Sequence, residues 1–407
     1  MAAPAQVAVQ KTVVVPAPKL VPAAKKVEAK VEAKLMELIF EQETLLTELS
    51  AVVRVAETKT TVPILTHLLF EAGKDGTVTI TASDLKQTLR TEFAADVKVA
   101  GAVAIPALKF FNYIRLLPKG RVSVKLLEND HIQIRSGRSN TRIPSRAPSE
   151  FPATPSPAKE TIRLSSRGVR TLLRQSLFAV ANTEARFLFN AALFVLHVDR
   201  MAMVATDGNR LSHVEVLEED VLFDGTLKTL LPKDCMADLL SLLNASKDES
   251  IEFSQDETNI YFRVGSRQLT ARKLIGQFPQ YELILPRDNT NFTIVRAVDL
   301  MTSVQRVLEF AEERSSGVKM HLSANAMTIS ASSKDCGESE DTLPVIYAFP
   351  PVTIAFNGNY LVEFLKTIGA EGEVRLSLKD SKSAAMIKPE RMNSDFDQCY
   401  VVMPMRL

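Results

Sequence analysis

The nearest this chain comes to a catalytic pairing is Asp84 and Asp207, each set after a strand-like run. Two carboxylates suit general acid–base work when they converge on a substrate. Asp207-Gly208, however, has the composition of a tight hairpin turn, where an aspartate spends its oxygens on its own backbone. The five histidines, His67, His131, His197, His213 and His321, lack zinc-ligand spacing and sit mostly in strand-like contexts. Cys235, Cys336 and Cys399 are odd in number and scattered, signalling neither a disulfide framework nor a zinc knuckle. There is no Gly-rich phosphate loop closed by Lys-Ser/Thr and no Gly-x-Ser-x-Gly elbow. An enzyme built on Asp207 and a histidine lacks the convergent acids, bases or ligands it needs. No cofactor or metal is expected.

Three other groups suit recognition. Arg167, Arg170 and Arg174 stand at i, i+3 and i+7, so they share one face of a helix, away from the Leu172/Leu173/Ser176 stripe. Such a face is either merely solvated or turned to phosphates; without interleaved aromatics it suits backbone contact and not base stacking. Lys109, Arg115 and Lys233 extend the same option. Arg135, Arg138, Arg142 and Arg146 punctuate one segment, while Glu338, Glu340 and Asp341 cluster in another. These are two unrelated solvated runs, or complementary surfaces that join copies head to tail, a contact that gives a ring when its rotation closes. The third group is the apolar terminal run Tyr400-Val401-Val402-Met403-Pro404-Met405-Arg406-Leu407. Its first half reads as a final strand. Past Pro404 the chain must leave the sheet ladder, and Met405 and Leu407 then suit an apolar docking site.

The elements that position these groups come from a chain of 407 residues, enough for two or three domains. A net charge of +1 means that any nucleic-acid contact depends on local segregation of charge. No window approaches the roughly 18 apolar residues of a membrane helix, and no secretory signal is visible. Cysteine usage fits a reducing, cytoplasmic compartment. Residues 1–35 are Ala-, Val-, Pro- and Lys-rich and read as a disordered or partly helical leader.

From Met36 a pattern recurs at roughly 120-residue spacing: amphipathic helix, short strands, second helix, more strands. The first copy has Leu45, Leu46, Leu49, Val52 and Val53 on one helical face, strands over 64–70 and 77–81, and a helix over 106–117. The second has Val169, Leu172, Leu173, Ser176 and Val180, then a helix opened by Pro232. The third has Leu300, Val304, Val307 and Leu308, then a helix over 360–368. Proline-rich or polar joins near 148–157 and 285–291 set domains of 36–156, 157–286 and 287–407. The fold class is α+β, three copies of two helices on antiparallel sheet.

Several segments then carry a resemblance. Thr61-Val62-Pro63-Ile64-Leu65, Ser136-Gly137-Arg138-Ser139, Ala205-Thr206-Asp207-Gly208-Asn209-Arg210-Leu211, Gly276-Gln277-Phe278-Pro279-Gln280-Tyr281 and the terminal run occur in order across the chain. Together they resemble the bacterial DNA polymerase III β-subunit family of sliding clamps. The resemblance implies a non-catalytic processivity factor, a head-to-tail homodimer of six clamp domains around duplex DNA. Its partners would be double-stranded DNA, a second copy, the replicative polymerase α subunit, the clamp loader and other proteins bearing a short clamp-binding motif. It implies a peptide pocket between the second and third domains, lined by Phe189, Thr206, Gly208, Arg210, Leu211, Pro279, Ile284, Tyr360, Val401, Val402, Met403, Pro404, Met405, Arg406 and Leu407. DNA-facing residues would be Lys59, Lys109, Arg115, Arg167, Arg170, Arg174, Arg186 and Lys233, and interface residues Arg135, Arg138, Arg142, Ile143, Glu338, Glu340 and Asp341. Departures from the family pattern are Leu283, Asn209, Phe187, Leu188 and, at the expected interface, Thr141 in place of an aromatic. A three-domain adaptor that binds peptides without encircling DNA is the competing reading.

Overall fold

A computed structural model describes residues 36–157, 160–182, 189–218, 225–390 and 396–406. The leader, Arg186, Phe187, Leu188 and Leu407 lie outside the described residues. The first repeat runs β1 (Glu37–Glu41), α1 (Gln42–Val52), β2 (His67–Ala72), β3 (Thr77–Ser83), β4 (Gln87–Ala94), β5 (Asp96–Val99), β6 (Gly101–Pro106), α2 (Ala107–Leu116), β7 (Arg121–Leu126), β8 (His131–Ser136) and β9 (Ser139–Pro144). The second runs β10 (Ile162–Ser165), α3 (Ser166–Ser176), β11 (Ala191–Leu196), β12 (Arg200–Thr206), β13 (Arg210–Leu217), β14 (Leu227–Pro232), α4 (Lys233–Ala245), β15 (Ser250–Gln255), β16 (Asn259–Val264) and β17 (Arg267–Arg272). The third runs β18 (Asn291–Arg296), α5 (Ala297–Leu308), β19 (Gly317–Ser323), β20 (Ala326–Ser333), β21 (Gly337–Pro344), β22 (Val352–Asn357), α6 (Gly358–Ile368), β23 (Glu373–Leu378), β24 (Ala385–Pro389) and β25 (Asp397–Val402).

The helices form where apolar residues recur on one face. In α1 these are Leu45, Leu49 and Val52; in α3, Val169, Leu172 and Leu173. Ser165 caps α3 by accepting from Gly168 N at 3.1 Å, and Asn357 caps α6 by accepting from Asn359 N and Tyr360 N. Gly369, at φ 84°, ends α6 in a conformation open mainly to glycine. The expected strand at 64–70 begins instead as a 3-10 turn, Pro63–Thr66, and becomes β2 at His67. Pro63 presets that turn and Thr66 Oγ1 donates to Pro63 O at 2.8 Å.

Two eight-stranded antiparallel sheets cross the repeat boundaries. One runs β10-β15-β16-β17-β4-β3-β2-β6, the other β14-β11-β12-β13-β25-β24-β23-β18. Each takes four strands from one repeat and four from the next. At the first boundary Leu89 pairs with Leu269; at the second, Ser212 pairs with Tyr400. Two smaller sheets remain, β5-β1-β7-β8-β9 and β21-β20-β19-β22, which end on β9 and β21. β9 carries Arg142 of the arginine group, and β21 carries Glu338, Glu340 and Asp341. The buried core of the first two repeats is continuous, and that of the third is centred on Leu300, Phe356, Phe364 and Tyr400.

Candidate functional site

The turn joining β12 to β13 is fixed by its own side chains. Asp207 Oδ1 accepts from Asn209 N at 2.9 Å and from Arg210 N at 3.1 Å, and Thr206 Oγ1 donates to Arg210 O at 2.6 Å. Gly208 sits at φ 91°, where a side chain would be strained. Asp207 is thus a turn residue. Its Oδ2 pairs with Arg210 Nε at 3.0 Å.

Arg210 is the centre of the site. Its side chain is 7% exposed. Besides Asp207 it reaches Glu363 Oε2 at 2.5 Å and Phe178 O at 2.6 Å, and its guanidinium lies 4.2 Å from the Tyr360 ring centroid. A buried guanidinium needs its donors matched, and this one is matched from both the second and third repeats. Glu363 and Phe178 were missed in the sequence. Their only signal was the demand of a buried arginine for partners, which does not say where in the chain they lie.

Beside Arg210 opens a cavity of about 190 Å3, lined by Phe189, Thr206, Gly208, Arg210, Leu211, Pro279, Ile284, Val401 and Met403. Two elements hold its walls. Met403 N donates to Asn209 O at 2.9 Å, so the ladder of β13 and β25 runs one step past Val402. Phe278, Tyr281 and Leu285 pack on the outer face of the shared sheet, around Leu193, Leu211 and Val401. Met403 is 45% exposed and Ile284 43%, so the mouth is apolar as well.

The other expected pocket residues fall elsewhere. Val402 points to the opposite face of β25 and is fully buried in the third-repeat core, as strand alternation requires. Tyr360 stacks on Arg210 and supports the wall from behind. Pro404 turns the chain away, and Met405 N donates to Ala355 O at 2.8 Å, so Met405 and Arg406 run along β22 and do not line the cavity. Leu407 lies outside the described residues.

The basic residues divide. Lys59, Lys109, Arg115, Arg167 and Arg174 are exposed. Arg174 donates to Asn244 Oδ1 at 2.9 Å. Arg170 is half-buried and donates to Leu243 O at 2.6 Å, which satisfies the C-terminal end of α4. Lys233 is turned onto Val180 O, at 3.0 Å, and Asn182 Oδ1, and burial holds its pKa below the ordinary lysine range. Both therefore stand apart from the exposed set. Of the expected interface residues, Arg135, Arg138, Arg142, Glu338 and Glu340 are exposed and Ile143 is 6% exposed. Asp341 alternates to the other face of β21, where it pairs with Arg306 of α5 at 3.2 Å. Arg146 leaves the arginine group to pair with Glu150 at 2.9 Å. Thr141 donates to Tyr113 OH of α2 at 2.8 Å, so an aromatic does stand at the edge, supplied by the neighbouring helix.

Residues 36–155, 163–280 and 282–406 match in turn the N-terminal, central and C-terminal domains of the DNA polymerase III beta subunit. This chain belongs to that family. It is 30% identical over 358 residues to the "Beta sliding clamp" of Vibrio cholerae, covering 86% of this chain and 94% of the relative. To that of Escherichia coli K12 it is 29% identical, over 91% and 100%. Among solved structures it resembles a Bartonella birtlesii DnaN sliding clamp bound to griselimycin, with TM-score 0.86 and 28% identity over 92% of this chain and all of that one. A Pseudomonas aeruginosa DNA polymerase III subunit beta gives TM-score 0.83 and 26% identity. In this clamp chain no helix among the described residues is long and apolar enough to cross a membrane.

Proposed function

We propose that two copies of this chain join head to tail into a ring that slides on duplex DNA and tethers a polymerase through the Leu211–Met403 cavity. As a member of the sliding-clamp family the protein is a non-catalytic processivity factor. The observation that carries the ring is the pair of open sheet edges, β9 and β21. At both internal boundaries the strand equivalent to β9 pairs with the strand equivalent to β21, and there the sheet has eight strands. Edges left open invite another strand, and the β9 edge of one copy would complement the β21 edge of a second.

The repeat also supplies the register. Leu89 and Ser339 occupy equivalent places, as do Leu269 and Thr141, because each follows the same ladder from its helix. Leu89 pairs with Leu269, so Thr141 would face Ser339 of the other copy and Arg142 would face Glu338. Opposite charges on these outward positions would steer assembly. Contacts through exposed Lys and Arg to phosphates alone would leave the ring free to slide. The cavity would take leucine or phenylalanine anchors of the polymerase α subunit, the clamp loader and other motif-bearing proteins. The place of work would be the cytoplasm, at the nucleoid during replication.

The test is retention on DNA. Loaded protein should stay on a nicked circle and leave the same DNA once it is linearised. Equal retention on both would support the adaptor reading and overturn the ring.

A further inference from the structure

A second cavity, of about 580 Å3, lies at the junction of the first and second repeats. Pro232, Cys235, Ala271 and Leu274 make its apolar floor. Cys235 is 1% exposed, and burial pushes its thiol far above the ordinary range, so it acts as a small apolar group and not as a nucleophile. Lys86, Lys233 and Arg272 stand around this floor against one carboxylate, Asp234. Lys233 is committed to Val180 O and Asn182 Oδ1. Lys86 and Arg272 are exposed, and neither side chain has an ion-pair partner among the described residues.

The internal repeat says what this place is. Gln87 pairs with Ala271 as Arg210 pairs with Val402, so Arg272 and Leu274 occupy the positions of Met403 and Met405. Cys235 is the third residue of α4, as Tyr360 is of α6. Gln87 Nε2 donates to Asp238 Oδ2 at 2.8 Å, in the same arrangement as Arg210 and Glu363. The place of Gly208 is taken by Leu85, held at φ 71° and 55% exposed beside Lys86. A leucine in that region is strained and persists only when its surroundings enforce it. Asp84 Oδ1 does so, accepting from Lys86 N at 2.8 Å and Gln87 N at 2.6 Å. The turn thus places the Lys86 cation at the cavity rim.

We propose that this cavity is a second docking site, for a short acidic segment of a partner protein. Its apolar side chains enter the floor and its carboxylates meet Lys86 and Arg272. Charge selects the occupant, because the two uncommitted cations over apolar ground complement carboxylates flanking leucine or phenylalanine. The proposal rests on the reading of the Met403 cavity as a peptide site, to which this one is related by the repeat.

Calorimetric titration tests it with a blocked hexapeptide of three glutamates, two leucines and a phenylalanine. The titrated protein is the full chain carrying Met403→Asp, which impairs only the other pocket. Saturable residual binding is expected, weakened about tenfold when Lys86→Glu and Arg272→Glu are added, and weakened again by a glutamine version of the peptide. No residual binding, or binding indifferent to Lys86 and Arg272, overturns the proposal. Intact peptide binding with reduced affinity for plasmid DNA in the charge-reversed protein would mark a phosphate surface and overturn it too. The Met403 reading is judged separately, by loss of a neutral leucine/phenylalanine peptide on Met403→Asp alone. Both reversed residues are exposed, and an unchanged urea midpoint confirms the fold.

Discussion

Arg210 shows how much one side chain can hold together. It satisfies Asp207 within its own turn, Glu363 on α6 and the carbonyl of Phe178 while forming part of the cavity wall. Arg210→Met should lower unfolding stability by about 2–3 kcal/mol, less than a fully buried pair because Glu363 is 45% exposed. It should also weaken peptide binding, and urea titration beside calorimetry measures both. His213 offers a second test. Burial lowers its pKa from the usual 6.5, against Glu215, Asp397 and Glu282, which raise it, and with Lys388, which lowers it further. The folded state favours the neutral ring, so its contribution is complete above the unfolded value and drains as pH falls below it. Between about pH 7.5 and 5.5 the urea midpoint should fall, and less steeply in His213→Gln; equal slopes would exclude His213 as a source. His67, shifted the same way by burial, supplies part of the remaining slope. At this scale the sequence was legible where a motif was local, as in the Thr206–Leu211 turn. It was silent on Glu363, which meets Arg210 from 153 residues away.

The helices were readable because their stripes are strong: Leu45, Leu49 and Val52 repeat at helical spacing and are all buried. β9 and β21 were not. An edge strand needs no continuous apolar alternation, and charge is what natural edges carry to discourage wrong pairing. Segments such as Glu338–Asp341 therefore look like solvated runs until the sheet order is known. The charge on these edges is testable by exchange. Arg142→Glu should weaken the dimer, more at low salt where screening is least, and adding Glu338→Arg in the same chain should restore it. Sedimentation of both proteins at two salt concentrations decides the matter; a double variant no better than the single one would refute the register. The tail separates in the same way into a strand and a wall. Deleting residues 403–407 removes Met403 from the cavity and the last rung it makes with Asn209 but spares the β25 ladder through Val402, so peptide binding should vanish while solution mass and fold persist. Apolar contact at roughly 25 cal/mol per Å2 makes a few anchors decisive there.

The whole molecule is three copies of one unit sharing sheets, and its two junctions have diverged. Leu211, Val401 and Met403 at the second correspond to Thr88, Thr270 and Arg272 at the first. The second junction therefore carries an apolar rim where the first carries hydroxyls and a cation. DNA contact belongs to this scale because it is summed over many weak charges. Replacing Lys109, Arg115, Arg167 and Arg174 by alanine should lower affinity for all sequences alike, and each lost phosphate contact should flatten the salt slope by about 0.9. A sequence-selective loss would contradict phosphate-only contact. The position of β25 has a consequence for synthesis. It lies in the middle of its sheet, between β13 and β24, although β13 leaves the ribosome far earlier. Until residues 397–403 emerge, β13 has a bare edge and the cavity lacks Val401 and Met403. A nascent or prematurely ended chain would then be open to aggregation along β13, yet could not recruit a polymerase. On the proposed reading of the cavity, the order of strands would withhold the docking site from an unfinished chain.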